Sequence, residues 1–311
     1  MVNINFDRVA MYGPLLHEGQ CCWVFYGMYK AFLYKKYNVF WTNNEKQTGM
    51  SSFLQGGKRI LFFVRFGYED NVPLNTNAFY ILYRFQKGVN DTKFDSIPEK
   101  NKFYLDVYKN GTHDNLESWK NNDYIRYSLE NRELYFPLAT ELLPNEIEEI
   151  QKRICVNKEQ NSKRMICFFG KDLSGSLYGS LKLRARALFY DTVNINNFTM
   201  EDRIKKCIDS HVTCVVTPDL LLDNGIIDHK VFQVISYGGF PTNNSQLTID
   251  LFDGKLLLSQ NPGDFIDTGT SKKKSSSYLE KWELMEYVKN NHTFVKRLET
   301  IFYMLLRLDD I

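Results

Sequence analysis

Short apolar runs alternate with longer amphipathic stretches along the first half of the chain. Val9 to Tyr12, "NVFWT" from Asn38, "RILFFV" from Arg59, "KFYLDVY" from Lys102 and "ELYFPLA" from Glu133 read as strands, being short and rich in β-branched and aromatic side chains. Between the first two, "WVFYGMYKAFLYKKY" from Trp23 has helical spacing, and its basic end suits the negative pole of a helix. Strand, loop, helix, strand is the alternation of a parallel α/β sheet. The segment from 65 to 130 is aromatic and Asn-rich, and its pattern leaves strand and helix both open.

A second series of the same kind follows. In "LLPNEIEEIQKRI" Pro144 can open a helix whose first turn is acidic, and the polar stretch "VNKEQNSK" after it sets a domain boundary at residue 157. Strand "RMICFFG", a helix over 177 to 191, a short helix over 200 to 208, strand "VTCVV", a helix over 229 to 237, strand "GFPT", a helix over 245 to 252 and strand "KLLL" come next. The chain closes on an amphipathic stretch broken at Asn290 and Asn291, with Trp282, Met285, Phe294, Leu298, Ile301 and Leu305 as core contacts. The expected domains are 1–157 and 158–285, with 286–311 as a closing helix that packs back on the first.

Length and composition agree with two α/β domains: 311 residues exceed one small core, and 43% hydrophobic content can bury two. A net charge of +2, from 39 basic and 37 acidic side chains, supplies no bulk attraction to a polyanion, so no nucleic-acid partner is expected. Six cysteines without a Cys-x-x-Cys pair and five scattered histidines indicate neither a zinc site nor a disulfide framework; Cys21 and Cys22 read as buried small residues. The amino-terminal stretch lacks a signal-peptide pattern and no apolar run is long enough to span a bilayer, which points to the cytoplasm. The tract "SKKKSSS" at 271 to 277 reads as a solvated loop.

The chemistry concentrates in "DHKVFQVISYGGFPTNNSQLTIDLF", Asp228 to Phe252. A helix beginning near Asp228 offers free backbone N–H groups and a positive dipole end, and His229 and Lys230 add donors in its first turn. Lys230 and Gln233, three apart, share one face, while Val231, Val234 and Ile235 take the other. Gly238 and Gly239 end the helix, and Asn243, Asn244 or Ser245 caps the next. This is either an anion-binding wall or an ordinary pair of well-capped helices. No Gly-x-Gly-x-x-Gly, phosphate-loop or Asp-x-Asp pattern occurs.

The order basic residue, apolar pair, polar residue, "ISYG", strand, "TNNS", helix and "LF" resembles the donor-binding segment of GT-B glycosyltransferases, especially the CgeB-like group. "LYFPLATELLPNEI" (134 to 147) is similar to the segment that leads into their second domain, and "NHTFVKRLETIF" to their closing helix. The resemblance implies two Rossmann-like domains facing across a cleft, a closing helix bracing both, and transfer of a hexose or deoxyhexose from a UDP- or GDP-sugar to a glycan or related acceptor hydroxyl. It implies no metal and no resident cofactor; a catalytically silent nucleotide-sugar-binding or glycan-binding module is the alternative.

By position, the resemblance puts Lys230 on the donor diphosphate and Gln233 where many members carry a glutamate that holds sugar or ribose hydroxyls. Asn243, Asn244 and Ser245 would offer donors to phosphate or sugar, and Gly170, Lys171, Ser174 and Gly175 form the loop after the first strand of the second half. Arg184 or Arg186 either reaches the leaving diphosphate or belongs to a solvated basic face. "TPDLLLDNGIID" (217 to 228) is read as the loop around the base, its carboxylates acting as caps. An inverting enzyme needs a base for the acceptor hydroxyl: His17 and Glu18 in "YGPLLHEGQCCW" are candidates, with Asp106 at a strand end as a third, although Glu18 also suits a helix cap. Arg65 and Asp70 would assist the acceptor.

Overall fold

The computed structural model describes residues 5–15, 22–43, 49–84, 92–108, 116–119, 122–156, 164–170, 176–272 and 278–309. The chain divides into two compact units, one formed by Met1–Glu141 with Phe294–Ile311 and the other by Leu142–Thr293. Both are mixed α/β with parallel-rich sheets.

The first unit runs β1 (Arg8–Tyr12), α1 (Cys22–Tyr34), β2 (Val39–Thr42), α2 (Met50–Leu54), β3 (Ile60–Arg65), β4 (Phe79–Arg84), β5 (Lys102–Asp106), β6 (Glu117–Trp119), β7 (Asn122–Ser128) and β8 (Glu133–Tyr135). Its sheet has the order β2-β1-β3-β4-β5-β8-β7-β6, parallel from β2 to β8 and antiparallel at the β8-β7-β6 edge. The second unit runs α3 (Pro144–Val156), β9 (Met165–Phe169), α4 (Ser176–Ala187), β10 (Asp191–Asn194), α5 (Met200–Asp209), β11 (Val212–Val215), α6 (Asp219–Asp223), α7 (His229–Ser236), β12 (Pro241–Asn243), α8 (Gln246–Leu251), β13 (Leu257–Leu258), α9 (Phe265–Lys272) and α10 (Tyr278–Asn291). Its sheet is all parallel, in the order β10-β9-β11-β12-β13. The last helix, α11 (Phe294–Asp309), belongs to the first unit.

Side chains alternate across the first sheet as the pleat requires. Phe62, Val64, Tyr80 and Leu82 enter the core on one face. Phe63 and Tyr83 enter the other, where Phe25 of α1 meets their rings at 5.2 and 6.0 Å. α11 covers the same helix: Phe302 packs on Phe32 at 6.2 Å, and a Cβ on Gly27 would fall 2.1 Å from the Phe294 ring. Glycine inside α1 costs about 1 kcal/mol against alanine, and here it permits the close crossing.

The division falls at Glu141, ahead of the expected 157, because α3 packs on α10 of the second unit, and the Ile154 Cδ1 lies where a Cβ on Gly238, just beyond α7, would come within 2.4 Å. Strand β10 was not expected. Its four residues, "DTVN", sit at the sheet edge and carry too few apolar positions to register as a strand.

Arg297 of α11 is fully buried. Its guanidinium donates to the carbonyls of Pro137 at 2.8 Å and Leu138 at 3.2 Å and lies 5.4 Å from the Phe136 ring. The closing-helix and leading-in segments singled out in the sequence therefore bond to each other inside the first unit. Replacing Arg297 with methionine keeps the volume and strands two buried carbonyls, each worth about 1.5–3 kcal/mol to a charged donor. Urea unfolding of Arg297→Met is expected to show a loss of about 3 kcal/mol, and Arg297→Lys, which lacks the fork, a loss of similar sign.

Candidate functional site

In a parallel α/β sheet the helix after each strand begins at the strand's carboxyl end, so the ends of β9, β11 and β12 and the starts of α7 and α8 share one edge of the second sheet. That edge is cross-linked by amides. Asn196 accepts from the Gly170 N–H at 2.9 Å and donates to its carbonyl at 2.8 Å. Asn244 does the same for Thr217, accepting at 2.8 Å and donating at 3.1 Å. Asn243 donates to the Thr217 hydroxyl and the Val215 carbonyl, at 2.9 and 2.7 Å, and accepts from the Ser245 N–H at 2.9 Å. Ser245 caps α8 by accepting from the Thr248 N–H at 3.3 Å. These side chains hold the strand ends rigid. Close by in sequence, the hydroxyls of Thr242 and Thr248 are buried without a hydrogen-bond partner, an arrangement that costs about 1–3 kcal/mol per group.

α7 supplies the charge. Asp228 is its N-cap, accepting from the Lys230 N–H at 3.0 Å, with the His229 Nδ1 at 3.2 Å and the Lys230 ammonium at 3.4 Å. Burial alone would raise the Asp228 pKa, but the hydrogen bond from His229 and the positive charge of Lys230 hold it down at about 2. The carboxylate stays ionised and fixes the ammonium at the positive end of the helix.

The helix is buried from Lys230 through Ser236, all round rather than on one face. Lys230 is 9% exposed and Gln233 1%, so the two polar residues of one helical face lie inside the protein. Burying an ammonium and an amide costs free energy, which the Asp228 carboxylate offsets for Lys230. The carboxyl end closes as a Schellman turn: the Gly239 N–H donates to the Val234 carbonyl and that of Gly238, at φ 78°, to Ile235.

Gly170, Lys230, Gln233, Asn243, Asn244 and Ser245 thus belong to the β9-β11-β12 edge and the helices that start there. Arg184 and Arg186 do not. They occupy the last turn of α4, and β10, which follows, pairs Asp191 with Met165 at the start of β9, so this helix end lies at the amino edge of the sheet. Arg184 is also engaged, its Nε 2.9 Å from Asp267. A role for either arginine at the leaving group is corrected on that ground; the solvated basic face is what the structure has.

Asp106 is fully buried and accepts from Arg84 Nε and Nη2 at 2.7 Å each. Arg84 also reaches Glu133 at 2.8 Å and lies 4.6 Å from the Tyr104 ring. A carboxylate with both oxygens committed to one guanidinium is a poor proton acceptor, so Asp106 is an ion-pair partner and not the base. His17, Glu18 and Lys171 lie outside the described residues. Arg65 ends β3 with its guanidinium 5.9 Å from the Tyr68 ring. Cys22, Cys167, Cys207 and Cys214 are buried, and burial pushes the Cys167 thiol up to about 12, which leaves it inert at neutral pH. Asn196 and the Arg84–Glu133 pair escaped sequence reasoning, since each gains its place only through a partner distant in the chain.

No protein-family model matches the chain, and no curated protein matches it. Solved structures do. An alpha-glucosyltransferase in complex with UDP and a 13-mer DNA containing a HMU base matches at TM-score 0.58 and 8% identity, over 96% of this chain and 100% of that one. An alpha-glucosyltransferase with UDP and a 13-mer DNA containing a central A:G mismatch matches at TM-score 0.62, again at 8% identity and over 96% and 100% of the two chains. At this identity the likeness is one of fold. It overturns the expectation of no nucleic-acid partner, because proteins of this fold were solved on DNA. The physical error is plain: net charge sums the whole surface, whereas 39 basic residues can still be locally arranged. No helix among the described residues is long and apolar enough to cross a membrane.

The Asp228 pKa has a consequence for stability. Its folded value of about 2 lies below its ordinary 3.8, so its contribution is complete above about pH 4 and is lost as pH falls through about 2. Asp228→Asn, which keeps a capping side chain, is expected to be on the order of 2 kcal/mol less stable than wild type at pH 7. The gap should close towards pH 2, measured by urea unfolding across the pH range.

Proposed function

We propose that the chain is a GT-B glycosyltransferase that takes a sugar from a nucleotide-sugar donor held by the second unit and passes it to a hydroxyl on a DNA base. The observation that carries this reading is the likeness of the whole chain to UDP-bound, DNA-bound alpha-glucosyltransferases. The buried Lys230 at the start of α7 supports it from the side of chemistry.

In such a transfer the bond from the anomeric carbon to the diphosphate oxygen breaks, and the acceptor oxygen takes its place. Negative charge grows on the leaving diphosphate. Lys230, backed by the α7 dipole and oriented by Asp228, is the cation that meets it, in the part a metal plays in other sugar transferases. Gln233, three residues on, hydrogen-bonds a ribose or sugar hydroxyl, an amide doing the work of the acid common in the resembling group. Gly170 and the Thr217–Asn243–Asn244 network shape the floor beneath the nucleotide. The acceptor proton goes to His17 or Glu18, in the stretch between β1 and α1. Because unmodified bases carry no aliphatic hydroxyl, the acceptor base is one that bears a hydroxymethyl or similar group.

Calorimetric titration with UDP and GDP tests the donor half. One of the two is expected to bind, and Lys230→Met to weaken it at least tenfold, about 1.4 kcal/mol. Binding that is indifferent to Lys230 rejects the assigned site. Association with hydroxymethylated duplex DNA, followed by fluorescence anisotropy, is expected to fall steeply as salt rises. Tight donor binding with no association to DNA at low salt would leave a silent nucleotide-sugar module as the better reading.

A further inference from the structure

We propose a second nucleotide site in this protein, in the first unit, at the amino ends of its parallel strands. A cleft of about 450 Å³ opens there. It is formed where the segments entering β1, β3, β4, β5 and β8 converge beside α11. The site lies wholly within the first unit and does not depend on the donor site proposed for the second.

The floor is apolar: Phe6, Phe79, Leu305 and Leu308 line it. Phe6 and Phe79 meet at 6.4 Å with their rings tilted 46°, and Phe79, the less buried of the two, gives the cleft an apolar wall. Above this floor stand three cations, Arg59, Lys100 and Arg132, and no acidic side chain lines the cleft. The neighbouring carboxylates are turned to other work. Asp7 accepts from the backbone N–H groups of Lys58 and Arg59 at 3.0 Å each, Glu99 pairs with Lys102 at 2.5 Å, and Glu133 pairs with Arg84 at 2.8 Å.

Two of the cations are held in position. The Arg59 guanidinium lies 5.5 Å from the Phe6 ring centre. Arg132 closes the turn between β7 and β8 in the left-handed region at φ 53°, and it donates from Nε to the Lys102 carbonyl and from Nη2 to that of Lys100, at 2.7 Å each. Asn77 and Asn101 add carboxamides to the wall, and Asn101 directs its Nδ2 to the Thr76 carbonyl at 2.6 Å.

The combination selects the ligand class. A metal ion would need carboxylates in the lining. A neutral sugar has no use for three cations, and inorganic phosphate none for an apolar floor. A nucleoside phosphate uses all three features: its base covers the floor, amides meet the base edge, and its phosphate meets Arg59, Lys100 and Arg132. The volume lies in the range of small-molecule sites, about 300–1,000 Å³. Occupied by a free nucleotide away from the chemistry, the cleft is an effector site.

The test uses the full chain in the Lys230→Met background, which silences the proposed donor site. AMP, GMP, CMP and UMP are titrated by calorimetry, with inorganic phosphate and a 5′-phosphorylated oligonucleotide as competitors. At least one mononucleotide is expected to bind at one per chain, and the exposed-residue pair Arg59→Glu and Lys100→Glu to weaken it at least tenfold with unchanged thermal melting. No mononucleotide binding, or binding untouched by the charge reversal, overturns the proposal. So does phosphate competing at equal concentration, which would mark a simple anion site, or an oligonucleotide binding tenfold tighter, which would assign the cleft to nucleic acid. Failure of Lys230→Met to affect UDP or GDP in the parent protein bears only on the donor site; failure of the charge reversal bears only on this one.

Discussion

The chain crosses from the first unit to the second after Glu141 and returns at Phe294, and one buried arginine ties the two crossing points together. Arg297 spends its guanidinium on the carbonyls of Pro137 and Leu138, residues just before the exit, from the first turn of the returning helix. Proline at 137 stops β8 and turns the chain out of the sheet, and the guanidinium satisfies the carbonyls that no strand partner then serves. Without that clamp α11 keeps its Lys35–Glu299 pair but loses its bonds to the chain leaving β8, beside the Phe294 and Phe302 rings that cover α1.

Inside the second unit the same economy of buried polar groups sets up the edge proposed for the nucleotide. Asn196, Asn243 and Asn244 satisfy strand-end backbone groups that the ladder leaves open, so their amides are structural before they are anything else. What remains is α7, buried on all sides yet carrying Lys230 and Gln233. Asp228 makes that arrangement tenable, because a buried ammonium keeps its charge most readily beside a fixed carboxylate. A diphosphate arriving at the helix start would meet a cation already oriented.

The strand and helix pattern was largely legible, since periodicity reports burial directly: "RILFFV" became β3 and "HKVFQVIS" became α7. The Gly238–Gly239 break showed itself through left-handed backbone needs, and Asp228 served as the cap expected of it. What failed were statements about position along an element. Arg184 and Arg186 have the right chemistry for a leaving diphosphate, but ten residues of helix carry them about 15 Å from its start to the other sheet edge. Asp106 looked like a base at a strand end until Arg84, 22 residues away in sequence, took both its oxygens. In the "NHTFVKR" stretch the structure shows packing and anchoring: His292 lies 5.1 Å from Phe232 in the second unit, and Arg297 bonds the Pro137 carbonyl in the first. Net charge misled most, being a sum that conceals local arrangement.

Sugar transfer to a DNA base is decided by one assay. Duplex DNA containing hydroxymethylated bases is incubated with the chain and UDP- or GDP-sugars, digested to nucleosides and weighed by mass spectrometry, with free nucleotide measured alongside. The expected product is a hydroxymethyl nucleoside heavier by one sugar residue, with nucleotide released in equal amount and no change on unmodified DNA. Nucleosides of unaltered mass, under conditions in which the donor nucleotide demonstrably binds, would contradict it.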